Sequence, residues 1–188
     1  VKYWYYKAIT PFFDWIFSLN TEITGKMVMN KNTSLLPLGY DPDIFQPDSG
    51  KMRLKPYVPE KRLSCIYYGS LDHKRDIMTV ITAVVACIKD GLPLCLTIVG
   101  NGNDREKLID FVEKNTAKKN IKFFEFMPQK DLVKLMNKHH IGISYVPNQG
   151  MYIPQVPLKT VEMLACGLPV IATNTEGNKK IVNHEENG

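Results

Sequence analysis

The chain has 188 residues, 44% of them hydrophobic and 23% charged, which at roughly 100–200 residues per domain supports one domain and part of a second. Gly and Pro number 12 each, close to their ordinary share, and this excludes collagen-like, coiled-coil, low-complexity and disordered classes. Lys and Arg (24) exceed Asp and Glu (19) for a formal charge of +5, compatible with an anionic small molecule, a membrane face or nucleic acid without choosing among them.

In chain order, the aromatic stretch from Tyr3 to about Phe17 predicts a helix that Pro11 breaks at Thr10. It reads as an interior helix of a domain lying outside this chain, or as a membrane-surface helix with Lys2 and Lys7 at the headgroups. The start at Val1 and the ending on the turn pair Asn187-Gly188 read as those of an excised piece. Ser34-Leu35-Leu36-Pro37 predicts a short strand, residues 38–43 a turn cluster, and residues 46–60, with four prolines and glycines among charges, a linker.

From Arg62 onward short apolar runs alternate with helical periodicity: strands at 64–68, 94–99, 121–124, 141–146 and 169–172, helices at 76–89, 104–112, 131–136 and 158–165. In the first helix Ile77, Val80, Ile81, Val84, Val85 and Ile88 form one apolar stripe. Repeated strand–helix units predict an α/β fold with a parallel sheet, helices on both faces and right-handed crossovers. Ligands of such sheets bind at the carboxyl ends of the strands.

Cys65, Cys87, Cys95 and Cys166 lie in apolar runs without CxxC spacing, so buried thiols and a reducing compartment are expected. No apolar run reaches the roughly 18–20 residues needed to cross a bilayer, and no signal peptide is recognised, so a cytoplasmic location is expected.

The strand-end loops carry the chemistry. Tyr68-Gly69-Ser70-Leu71-Asp72-His73-Lys74-Arg75 places a glycine and two cations before a helix, a pattern that suits phosphate or is a solvated basic pair. Gly100-Asn101-Gly102-Asn103-Asp104-Arg105 fails the dinucleotide fingerprint at Arg105 and reads as a tight turn capped by Asn103 or Asp104. Phe124-Glu125-Phe126-Met127-Pro128 and Tyr145-Val146-Pro147-Asn148-Gln149-Gly150 are both irregular edges able to shelter a planar base. Pro157 at a helix start leaves the N–H groups of Leu158, Lys159 and Thr160 to meet an anion. Lys159 and Glu162 share a helix face, where the Glu either accepts from sugar hydroxyls or pairs with that Lys on the surface.

The run Pro157-Leu158-Lys159 through Glu162-Met163-Leu164-Ala165-Cys166-Gly167-Leu168-Pro169-Val170-Ile171-Ala172-Thr173 resembles the nucleotide-binding helix of the family-four (group 1) retaining glycosyltransferases of GT-B fold. Leu36-Pro37-Leu38-Gly39-Tyr40-Asp41 is similar to that family's interdomain segment, Tyr68-Gly69-Ser70-Leu71 with Arg75 to its diphosphate loop, Val99-Gly100-Asn101-Gly102 to its glycine turn, and residues 181–188 to its Asn-Gly ending. The resemblance implies the C-terminal, Rossmann-like half of a GT-B enzyme: residues 1–33 a remnant of the N-terminal domain, 34–60 the interdomain segment, 61–188 the nucleotide-sugar domain.

It further implies retaining transfer of a sugar from a nucleotide donor such as a UDP- or GDP-sugar to a saccharide or lipid-linked acceptor. Surface polysaccharide, lipopolysaccharide or glycolipid assembly, with peripheral association at the inner membrane face and no nucleic acid partner, is the setting it suggests. Glu162 then grips the ribose, Arg75 the diphosphate, and Lys159 the leaving phosphate, these three being the catalytic set. Gly69, Ser70, Lys74, Phe126, Met127, Pro157, Leu158 and Thr160 complete the donor site, with no metal and no other cofactor required. Two positions depart from the common pattern, Pro154 where many members carry a glutamate and Ser70 where many carry an arginine. A sugar-nucleotide epimerase and a non-catalytic nucleotide-binding module are the alternatives, and the isolated 188 residues are expected to be inactive.

Overall fold

The computed structural model describes residues 8–19, 32–48 and 62–188. Two short parallel strands, β1 (Ile16–Ser18) and β2 (Thr33–Leu35), form a small sheet of their own. Five further strands, β3 (Leu63–Tyr68), β4 (Leu94–Val99), β5 (Ile121–Phe124), β6 (Ile141–Ser144) and β7 (Val170–Ala172), form a parallel sheet in the order β5-β4-β3-β6-β7. Helices α1 (Ile77–Lys89), α2 (Arg105–Glu113), α3 (Gln129–Met136) and α4 (Leu158–Ala165) make the crossovers. The predicted α/β class is therefore what the chain adopts.

Two apolar clusters fill the two faces of the sheet. Cys65, Tyr67, Leu96 and Ile98 point to one face, where Ile81 and Val85 of α1 and Leu108 and Val112 of α2 cover them. Ile66 and Val99 point to the other, against Leu132 and Met136 of α3 and Met163 of α4. The alternation follows from the two-residue period of a strand, and burying each such side chain contributes about 1.5–3 kcal/mol. Because the chain runs outward from β3 through β4 to β5 and then returns to β6 on the other side of β3, the order reverses between β3 and β6. The crevice outside their carboxyl ends is the topological switch point.

The first segment departs from expectation. Thr10–Phe12 is a single 3-10 turn, Phe13 is already extended (φ −107°, ψ 137°), and Ile16–Ser18 is a strand, so no helix reaches Phe17. Pro11 removes a backbone donor, and long-range pairing then takes the following residues: Asn32 Nδ2 donates to the Asp14 carbonyl at 2.9 Å and Trp15 Nε1 to Ser34 Oγ at 3.1 Å. Lys2 and Lys7 of the membrane-surface reading lie outside the described residues. So does most of the predicted linker, but its beginning is docked rather than loose. Phe45 is buried in the second cluster, Asn137 Nδ2 donates to the Gln46 carbonyl at 3.3 Å, and the Asp48 N–H donates to Asn137 Oδ1 at 3.4 Å. Of the four free thiols, Cys65 and Cys166 are buried as expected, whereas Cys87 and Cys95 are only half-buried. Among the described residues no helix is long and apolar enough to cross a membrane.

Candidate functional site: a cationic crevice at the switch point

The loop leaving β3 stays paired with its neighbour beyond the end of the strand. The Gly69 N–H donates to the Val99 carbonyl at 3.0 Å and the Leu71 N–H to the Asn101 carbonyl at 3.0 Å. This approach requires Gly100, which sits at φ 151° and whose Cβ, if present, would lie 1.9 Å from the Gly69 carbonyl oxygen. Beyond it Ser70 donates its hydroxyl to the Asp72 carboxylate, and Asp72 Oδ1 also accepts the Asn103 N–H at 3.3 Å. These bonds, with the nearby Arg75 charge, hold the Asp72 carboxyl below the usual aspartate range. The predicted cap by Asn103 or Asp104 is accordingly corrected: Asp104 stands at the N-cap of α2 with no side-chain bond to it, and Asp72 serves the turn from the neighbouring loop.

A turn of 3-10 helix, His73–Arg75, then delivers the cations, Lys74 exposed and Arg75 half-buried. Asp76 closes it in the left-handed region (φ 47°), where its Oδ2 accepts from Thr79 Oγ1 at 2.7 Å and from the Tyr145 hydroxyl at 3.4 Å. The Arg75 guanidinium lies over the Tyr152 ring, 4.9 Å from its centroid. The loops after β3 and β6 are thus joined across the crevice by two aromatic residues.

The opposite wall is the start of α4. Pro157 is its N-cap and Leu158 is exposed, but the Thr160 N–H is not free for a ligand: it donates to the Pro157 carbonyl at 3.0 Å. The Thr160 side chain is fully buried, bonded to Ser144 Oγ on β6, and donates to Asn178 Oδ1 at 3.1 Å. Asn178 Nδ2 in turn donates to the Thr173 carbonyl at 2.9 Å, and Thr173 Oγ1 accepts the Val146 N–H at 3.0 Å. This buried polar network ties the helix start to the ends of β6 and β7.

Lys159 and Glu162 do not pair with each other. The Lys159 side chain reaches across the end of the sheet, Nζ donating to the Tyr145 carbonyl at 2.8 Å and lying 4.2 Å from the centroid of the Tyr67 ring. Burial, and secondarily the charge of Arg75, push its pKa down to about 7. Glu162 is 6% exposed and accepts the Tyr68 hydroxyl on Oε2 at 2.5 Å. Among the described residues neither Arg75 nor Lys159 is in an ion pair with a carboxylate. Two neighbouring cations outside any ion pair among the described residues, Arg75 with the charge of Asp72 nearby and Lys159 with its pKa pushed down to about 7, form a site that an anion would stabilise.

Gly69, Ser70, Arg75, Pro157, Lys159 and Glu162 therefore share one end of the sheet, at the switch point. Phe126 (79% exposed) and the half-buried Met127 follow β5, two strands from β3 along the same carboxyl edge. Sequence reasoning gave no role of their own to Tyr67, Tyr68 and Tyr152, and read Tyr145 only as the start of an edge for a base. The tandem tyrosines at the end of an otherwise apolar strand were the available signal, since a buried phenol needs a hydrogen-bond partner. An open groove of about 530 Å³ along α2, lined by Met78, Asn103, Lys107 and Phe111 among others, contains none of these residues.

Residues 48–188 match the profile of the family described as glycosyl transferases group 1. A UDP-N-acetylglucosamine–peptide N-acetylglucosaminyltransferase GtfA subunit of Limosilactobacillus reuteri is 30% identical over 136 residues, covering 72% of this chain and 25% of that protein. A probable sucrose-phosphate synthase of Thermosipho melanesiensis is 29% identical over 160 residues, covering 82% of this chain and 35% of that protein. The chain thus spans a quarter to about a third of the length of these relatives. Among solved structures, Anabaena HepE in complex with UDP and glucose has a similar fold (TM-score 0.73, 15% identity, 96% of this chain and 50% of that one). So does the C-terminal domain of the group 1 glycosyl transferase LpcC from Francisella tularensis (TM-score 0.62, 18% identity, 80% of this chain and 78% of that one). By this profile match and this fold, the chain belongs to the group 1 glycosyl transferases and carries their C-terminal, GT-B-type domain.

Proposed function

We propose that the domain binds the nucleoside diphosphate portion of an activated sugar, and that the protein transfers the sugar to an acceptor with retention of configuration. The observation that carries this reading is the pair of neighbouring cations, Arg75 and Lys159, outside any ion pair among the described residues and beside the buried carboxylate Glu162 at the switch point. As the bond from the anomeric carbon to the diphosphate breaks, negative charge builds on the leaving oxygens. Fixed cations placed there lower the barrier without reorganising at the moment of reaction. Arg75 and Lys159 supply that charge with no metal ion in the scheme, and Glu162 accepts from ribose hydroxyls. Phe126 and Met127 border the base, and the glycine turn at Gly69 lets backbone approach the phosphates.

The relatives support a nucleotide-sugar donor, because structures of similar fold hold UDP with glucose and UDP with GlcNAc. A saccharide or lipid-linked acceptor, and a location at the cytoplasmic membrane face, complete the proposal. Calorimetric titration with UDP, GDP and ADP tests it. At least one should bind, and Arg75→Ala should weaken that ligand by about 1.5–3 kcal/mol while leaving the free nucleoside nearly unaffected. Absence of binding by all three overturns the reading, and equal losses for both ligand types remove Arg75 from the phosphate contact.

A further inference from the structure

A buried carboxylate is ordinarily held by a cation, yet Glu162 is held by a phenol. The Tyr68 hydroxyl donates to Glu162 Oε2 at 2.5 Å and lies 3.3 Å from the carbonyl oxygen of Lys159, less than one turn earlier on the same helix. The Tyr68 ring packs into the second apolar cluster, so the hydroxyl has little freedom of its own. Burial and the adjacent Glu162 charge keep the phenol protonated, well above its usual range, so it remains a donor. Among the described residues Glu162 Oε1 accepts no hydrogen bond.

We infer that Tyr68 is the positioning residue for Glu162: its hydroxyl fixes one carboxylate oxygen so that the other is presented, still fully charged, to the ribose hydroxyls of the nucleotide. The inference rests on the ribose reading of Glu162 given above. A lysine or arginine in this place would orient the carboxylate but neutralise it and compete with the ligand. A phenol orients without neutralising, and a charged acceptor makes a stronger hydrogen bond to a hydroxyl than a neutral one. The arrangement also refers the carboxylate to β3, the strand whose loop carries Arg75, so one stretch of backbone sets the distance between the pentose contact and the diphosphate contact. Tyr67, the preceding residue, faces the other side of the sheet and supports the Lys159 ammonium. Consecutive tyrosines therefore hold the two charged side chains of α4, one from each face.

The test compares a nucleoside diphosphate with its 2′,3′-dideoxy analogue, using whichever of the UDP, GDP and ADP series titrates most tightly on the 188-residue chain. The natural chain should prefer the ribose form by about tenfold or more, the scale of one hydrogen bond to a charged group. Tyr68→Phe, which keeps the ring, should reduce that preference to under about threefold while changing the affinity for the dideoxy analogue by no more than about twofold. A natural chain indifferent to the ribose hydroxyls overturns the ribose reading itself. Discrimination by the natural chain that survives intact in Tyr68→Phe leaves that reading standing and overturns the inference. So does a parallel loss for both ligands, the mark of a merely structural role. Glu162→Asp, one methylene too short to meet the Tyr68 hydroxyl, is the second variant should Tyr68→Phe fail to fold. It should lose the preference as well, and undiminished preference there also overturns the inference.

Discussion

Lys159 is the residue whose charge depends most on what shares the crevice. Its pKa is pushed down to about 7 by burial and by Arg75, whereas in the unfolded chain it lies in the ordinary lysine range. From about 7 up to that range the unfolded chain binds the extra proton, so this group's contribution to stability rises with pH and is least favourable below 7. Ligand binding runs the other way. Phosphate oxygens beside the ammonium favour its proton, so binding takes up protons above about 7 and affinity should fall by up to about tenfold per pH unit towards about 9. Calorimetry in buffers of differing ionisation enthalpy measures this uptake, and Lys159→Arg, whose cation does not titrate, should flatten the profile. A profile already flat in the natural chain would place this ammonium away from the phosphates. The chemistry of this residue was legible in the sequence as a lysine at a helix start. Its depressed pKa was not, because burial against the Tyr67 ring and the charge of Arg75 come from β3 and the turn after it, some eighty to ninety residues earlier.

At the scale of elements, α4 is useful only because its first turn cannot drift. The Ser144–Thr160–Asn178 bonds pin it to the sheet, and every member is buried. Thr160→Val, nearly isosteric, should leave the Ser144 and Asn178 side chains short of a partner at a cost of about 1–3 kcal/mol. Thermal unfolding should register this as a lower melting temperature, together with a weaker nucleoside diphosphate titration. Gly100→Ala should destabilise by about 2 kcal/mol or more, since its Cβ would meet backbone rather than a movable side chain. A Gly100→Ala chain as stable as the natural one would contradict the close approach of the β3 and β4 loops. Elements with long-range consequences were also the ones read best from sequence: β4 and β5 match their predicted ranges residue for residue, as does α4. β6 is shorter than the expected 141–146 because the Val146 N–H turns to the Thr173 hydroxyl and Pro147 has no N–H to continue a ladder. The error at Phe17 has the same origin, a pairing with residues seventeen positions away that no local periodicity encodes.

At the scale of the molecule, the relatives are about two and a half to three times as long as this chain, which leaves room for a second wall facing the crevice at the switch point. The 188 residues should accordingly bind a nucleoside diphosphate, with a rise in melting temperature that grows with ligand concentration, and yet form no glycoside product from a nucleotide sugar. Product formation by this chain alone would show that a single wall suffices. A chelator should leave the binding constant within about twofold, because the proposed neutralising charge belongs to side chains. A loss of tenfold or more on chelation would replace the two-cation scheme with one that includes a metal.

The sequence by itself determined the α/β class, the succession of strands and helices from residue 62 on, and the loops at which charge and glycine accumulate. These are properties of periodicity and of single residue types, and they survive without knowledge of neighbours. Tertiary structure alone decided that β3 and β6 lie side by side, which turns two loops separated by about seventy residues into the walls of one crevice. It alone decided, too, that Glu162 answers to a tyrosine rather than to the lysine three positions before it. Hydrogen bonds and charge interactions act over a few ångströms of space, and only folding brings Tyr68 within that distance of Glu162.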